Sequence, residues 1–215
     1  MTLTLYCDSD LEAPSKEIIA GKVIIFPTDT VYGLGTNPWS AEGVRACYSL
    51  KKREGTKKMP VLVNSLLTAK LFTKFGKISE ALASKFWPGK LSIILPVVDP
   101  KLPTELVGND RTLAVRMPQH ECSLRLISAC GGSLIGTSAN ISGEPPFTDP
   151  FDPRLAEFSK SAEFFLSGSC GDPSGVSSTI IDATDEKKIR IVREGALSSL
   201  EVLDYLEKMS KTDNS

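Results

Sequence analysis

Val23-Ile24-Ile25-Phe26-Pro27-Thr28-Asp29-Thr30-Val31-Tyr32-Gly33-Leu34-Gly35 is the stretch that decides the fold class. Four apolar residues closed by a proline read as a short strand buried on both faces, the kind found in a sheet covered by helices. The hydroxyl- and glycine-rich loop that follows is where open α/β sheets receive ligands. Working outward, Pro14 to Gly21 reads as a helix stopped by Gly21. On the other side Ser40 is a candidate N-cap for a helix with Val44, Cys47 and Tyr48 on one face. That helix delivers Lys51, Lys52 and Arg53 at its C-terminal end. Further strands are expected at Pro60 to Val63, Leu91 to Val98, Thr112 to Val115, Ser133 to Gly136, Thr179 to Ile181 and Ile189 to Val192. Helices are expected at Leu66 to Phe75, Ser79 to Phe86, Cys122 to Ala129, after Asp152-Pro153, and from Ser198 to Lys208. Strands alternating with helices give an α/β domain.

The 215 residues suit one domain over 1–208, with a frayed tail at 209–215. Apolar residues make up 41% and charged residues 24%, which favours a packed globule over disorder. The formal net charge of −1 provides no general attraction for nucleic acid or an anionic membrane, so a bound anion needs a local cluster of cations. Cys7, Cys47, Cys122, Cys130 and Cys170 are odd in number and lack zinc-site or dense disulfide spacing; a reducing, cytoplasmic compartment is the expectation. No apolar run approaches the ~20 residues of a membrane span, and the start lacks signal-peptide character.

Six stretches carry candidate chemistry. Gly33 and Gly35 fit either a ligand loop or a plain turn, and the third glycine of a dinucleotide fingerprint is missing. Lys51 to Lys58 holds five cations and one acid, which fits a polyphosphate or a solvated helix end complementing its dipole. Arg116 closes an apolar strand before Pro118, placed for a ligand carboxylate or for a structural ion pair. Gly136 to Gly143 gathers Thr137, Ser138, Asn140 and Ser142, groups that orient a ligand without charge. Ser177 to Asp182 and Ile191 to Ala196 add hydroxyls and Arg193. His120, the one histidine, has no triad partner nearby, and GxSxG, P-loop and HExxH motifs are absent, so the chemistry rests on positioning.

In this order PTDTVYGLG at 27–35, KxR at 51–53, WPG at 87–89, AVRMP at 114–118, TSANISG at 137–143, SSTIID at 177–182 and IVREGA at 191–196 resemble the YrdC-like family of threonylcarbamoyl-AMP synthases. The resemblance implies a twisted mixed sheet flanked by helices, with a large basic concave surface for ATP and threonine. Residue by residue it implies threonine contacts at Thr30, Asn64, Arg116, Ser138 and Ser178, with Arg116 on the carboxylate. Nucleotide contacts are implied at Lys51, Arg53, Lys58, Thr112, Asn140, Thr148 and Arg193. The chain departs from the pattern at Glu54, where proline is usual, at Asn64, where histidine is common, and in a longer loop that leaves Lys57 and Lys58 as alternatives. The match is to the short form without a C-terminal extra domain.

The resemblance also implies the reaction. Bicarbonate carboxylates the threonine amine, and the carbamate attacks the ATP α-phosphate with Mg2+ present and no catalytic nucleophile or resident metal. The product goes to downstream tRNA threonylcarbamoyl transferase proteins. The alternatives are an RNA-binding module of the same fold, or a branch with different carbamoyl chemistry.

Overall fold

The computed structural model describes residues 2–55, 57–170 and 175–212. Among them the elements run β1 (Leu3–Leu5), α1 (Glu12–Ile19), β2 (Ile24–Phe26), β3 (Gly33–Gly35), α2 (Ala41–Leu50), β4 (Val61–Val63), α3 (Leu66–Lys70), α4 (Lys77–Phe86) and β5 (Leu91–Pro96). They continue with α5 (Thr104–Val107), β6 (Thr112–Arg116), α6 (Glu121–Ala129), β7 (Ser133–Ile135), β8 (Thr137–Ser138), α7 (Pro153–Ser159), β9 (Phe164–Leu166), β10 (Thr179–Asp182), β11 (Arg190–Arg193) and α8 (Ser199–Thr212).

The strands form two mixed sheets where the sequence suggested one. The first has the order β1-β9-β2-β3-β8, the second β11-β10-β5-β6-β4-β7. β2 shows why four apolar residues in succession suit this place. Val23 and Ile25 enter the larger core, while Ile24 and Phe26 enter a second core shared with Ile18 of α1 and with Leu126 and Ile127 of α6. Each fully buried side chain of this size contributes roughly 1.5–3 kcal/mol. β4 alternates in the same way, with Val61 and Val63 in the first core and Leu62 in the second.

The sheets meet where β3 passes the end of β7. Ile135 N–H donates to Thr36 O at 2.9 Å, and a Cβ on Gly35 would stand 2.1 Å from Ile135 O, so only glycine allows the two backbones this close. Ser40 caps α2 as expected, its side chain accepting from Gly43 N–H, and Asp152 caps α7 ahead of Pro153.

Several boundaries move. α3 ends at Lys70 rather than at Phe75, because Phe72 turns into the core and Thr73 bridges Val97 beside β5. α8 continues through residues 209–212, which had been read as frayed, and the remainder of that tail, 213–215, lies outside the described residues. Cys7 and Cys122 form a disulfide, a pairing that the reading of the cysteines as those of a reducing compartment did not anticipate. A separation of 115 residues carries no local signal; it is the pairing of β1 with β9 that fixes where the β1 strand, and so Cys7, runs. No helix among the described residues is long and apolar enough to cross a membrane.

Candidate active site

A cavity of about 730 Å³ takes its walls from both sheets and from the loops joining them. The β2–β3 loop supplies Thr28 and Thr30, and the segment after α2 supplies Arg53, Lys57 and Lys58. β6 contributes Thr112 and Arg116, β8 Ser138, and the β10–β11 hairpin Ser178, Asp182, Arg190 and Arg193. Six cations face two carboxylates in this lining, Asp110 and Asp182. A near-neutral chain has thus gathered a local positive field suited to a polyanion.

Arg116 sits deepest in hydrogen-bonding terms, with 5% of its surface exposed. Its Nε donates to Gly89 O at 2.8 Å, Nη1 to Thr30 Oγ1 at 3.1 Å, and Nη2 to Asp29 Oδ1 at 2.6 Å. Burial pulls its pKa below the ordinary arginine value, and the Asp29 carboxylate opposes that pull. Thr30 is steadied in turn by Thr28, the two hydroxyls lying 3.1 Å apart. Arg193 donates to Ser178 O through Nε and Nη2, at 3.2 and 2.6 Å, and Ser178 Oγ lies 2.9 Å from Ser92 Oγ. Desolvation at the wall, then the charges of Arg116 and Arg53, lower the Arg193 pKa. Three arginines from distant parts of the chain therefore converge closely enough to repel one another, and a bound anion relieves that repulsion.

Arg53 folds back along its own loop, with Nε on Lys57 O at 2.7 Å and Nη2 on Lys58 O at 2.9 Å. These bonds tie Arg53 to the backbone of Lys57 and Lys58. Lys58 Nζ donates to Thr112 Oγ1 at 2.7 Å and pairs with Asp110, whereas Lys57 is exposed on the rim.

Eight of the expected site residues share this lining: Thr30, Arg53, Lys58, Thr112, Arg116, Ser138, Ser178 and Arg193. Four do not. Lys51, expected at the phosphates, is 1% exposed, and its Nζ donates to Ser138 O, to Asn140 O at 2.9 Å and to Asn140 Oδ1 at 3.0 Å. Asn140, expected at the nucleotide, accepts from Ser138 Oγ at 2.6 Å and donates to Glu144 O. Both therefore brace Ser138 from outside the cavity. Asn64 bonds Ser128 and Thr68, and Thr148 lies beyond the lining. Burial and Arg53 lower the Lys51 pKa to about 8. Asp29, Gly89 and Ser92 were missed. Asp29 stood inside the quoted PTDT motif, where an acid flanked by hydroxyls was the available signal.

No group of three or more His, Cys, Asp or Glu side chains able to hold a metal occurs among the described residues. Lys58 and Arg190 already occupy Asp110 and Asp182.

Residues 16–195 match the Sua5_yciO_yrdC family, described as telomere recombination. The chain belongs to this family. A threonylcarbamoyl-AMP synthase of Pyrococcus abyssi is 35% identical over 192 residues, covering 88% of this chain and 54% of that protein. The chain thus spans about half of that relative's length. Another, from Methylococcus capsulatus, is 31% identical over 79% of this chain and 90% of its own. Among solved structures, P. abyssi Sua5 complexed with L-threonine superposes with a TM-score of 0.84 at 31% identity, over 94% of this chain and 59% of that one. Escherichia coli YciO, at 21% identity and a TM-score of 0.79 over 91% and 97%, shares the fold. Both likenesses agree with the paired mixed sheets seen in this Sua5/YciO/YrdC member.

Proposed function

We propose that this Sua5/YciO/YrdC protein is a threonylcarbamoyl-AMP synthase, forming that product and pyrophosphate from L-threonine, bicarbonate and ATP. The convergence of Arg53, Arg116 and Arg193 on one cavity that also presents the hydroxyls of Thr30, Ser138 and Ser178 carries the reading, because it joins a polyanion site to a carboxylate site. The threonine carboxylate takes the two N–H groups that Arg116 has left, with Thr30, Ser138 and Ser178 around the amino acid. Arg53, Lys58, Thr112 and Arg193 take the nucleotide. Magnesium would arrive with the ATP phosphates and supply charge neutralisation there, the lining acids Asp110 and Asp182 being paired with Lys58 and Arg190.

The amine nitrogen bonds to the bicarbonate carbon with loss of water, and a carbamate oxygen then attacks the α-phosphorus as pyrophosphate departs. The protein's part is alignment, which supplies about 7–11 kcal/mol at its upper end. Downstream tRNA threonylcarbamoyl transferase proteins take up the activated carbamoyl group. Incubation with ATP, magnesium, bicarbonate and threonine is expected to release pyrophosphate. Release that ignores threonine refutes the proposal.

A further inference from the structure

We propose that Asp29 is a positioning residue that acts on the amino-acid substrate through Arg116, with the Gly89 carbonyl as its counterpart on the other side of the guanidinium. The inference rests on the reading of Arg116 as the carboxylate site. Three protein acceptors, Asp29 Oδ1, Thr30 Oγ1 and Gly89 O, each take one of the guanidinium's donors. They approach from the β2–β3 loop and from the turn before β5, so the plane of the guanidinium is fixed before any ligand enters. Asp29 is 5% exposed and absent from the cavity lining, so its influence passes through the arginine.

Its second oxygen, Oδ2, is buried with no hydrogen-bond partner among the described residues. A pair kept for stability alone satisfies both carboxylate oxygens, since an unpartnered buried acceptor costs free energy. Asp29 is therefore better explained by where it holds Arg116 than by what it adds to the core. The Trp87-Pro88-Gly89 turn, for which the sequence offered no role, completes the clamp. Gly89 donates its N–H to Met117 O at 2.8 Å while its own carbonyl accepts from Arg116 Nε, which stitches the turn to the end of β6. A Cβ at Gly89 would lie 2.5 Å from Phe86 O, so the close turn admits no side chain.

The test is a double-mutant cycle in the full chain, read as pyrophosphate release. Asp29→Asn keeps the shape and removes the charge; it is expected to raise the KM for threonine about tenfold and that for ATP less than about twofold. In an Arg116→Lys background the same change should alter the threonine KM by less than about twofold, because the residue through which it acts is gone. Equal effects on both substrates, or full additivity with Arg116→Lys, overturn the proposal. If Asp29→Asn does not fold, Asp29→Glu, which retains the charge but displaces it, enters the same cycle. A second readout is independent of turnover: the Arg116 Nη–H signals in NMR should be resolved in the wild type and averaged in Asp29→Asn. Should wild-type release prove independent of threonine, the functional reading fails, and unchanged Nη–H signals would still overturn the positioning role separately.

Discussion

Arg116 and Lys51 are 5% and 1% exposed and share out their donors among protein acceptors, whereas Lys57 and Arg190 stand at solvent on the cavity rim. All four are cations of one region, yet they do different work. A buried cation has little freedom and its removal leaves its acceptors stranded, so it sets geometry. A rim cation is screened by water and salt, so it contributes field. Position relative to solvent, rather than charge, separates the two kinds.

The strongest way to break this comparison is Arg116→Ala. Leaving the Asp29 carboxylate buried and unpaired is expected to lower stability by about 3–5 kcal/mol, measured by denaturant unfolding, and to remove threonine-dependent turnover. A loss below about 1 kcal/mol would place Arg116 with the rim. Lys51→Met sharpens the comparison through pH. The native ammonium sits at about 8 against an ordinary 10.5, so between those values the unfolded chain binds the extra proton. Stability from this residue is therefore lowest below pH 8 and rises towards pH 10.5, by roughly 3 kcal/mol, and Lys51→Met should lack that rise in pH-dependent melts. Lys57→Ala is the smallest change: the KM for ATP should increase by about two- to threefold at low salt, and the difference should fade near ~0.5 M salt with the melting temperature unchanged.

What the sequence made legible follows the same division. β2 and β4 were readable because strands buried on both faces need uninterrupted apolar runs, and β6 because Leu113 and Val115 alternate into the core while Thr112 and Ala114 line the cavity. β8, with two residues, has no such signature, and β9, Phe164-Phe165-Leu166, is an apolar run too short to announce its place between β1 and β2, since its pairing is set by partners far along the chain. In the site, Arg116 and Ser178 were legible as polar residues at strand ends. The direction of Lys51 was not, because a run of lysines shows charge and says nothing of the Ser138 and Asn140 carbonyls that the fold brings within reach. Asp29 escaped for the same reason: its partner lies 87 residues away.

The Cys7–Cys122 bond gives the chain a different topology once it is drawn as a covalent object. Residues 7–122 become a closed ring, and everything after Cys122 is a free arm. Thr30, Arg53, Lys58, Thr112 and Arg116 all lie on the ring, while Ser138, Ser178 and Arg193 lie on the arm. Neither part alone encloses the cavity. The hydroxyls of the arm reach the ring's arginines only when β8 pairs with β3 and β10 lies against β5, so the binding site is itself the seam along which the arm closes onto the ring.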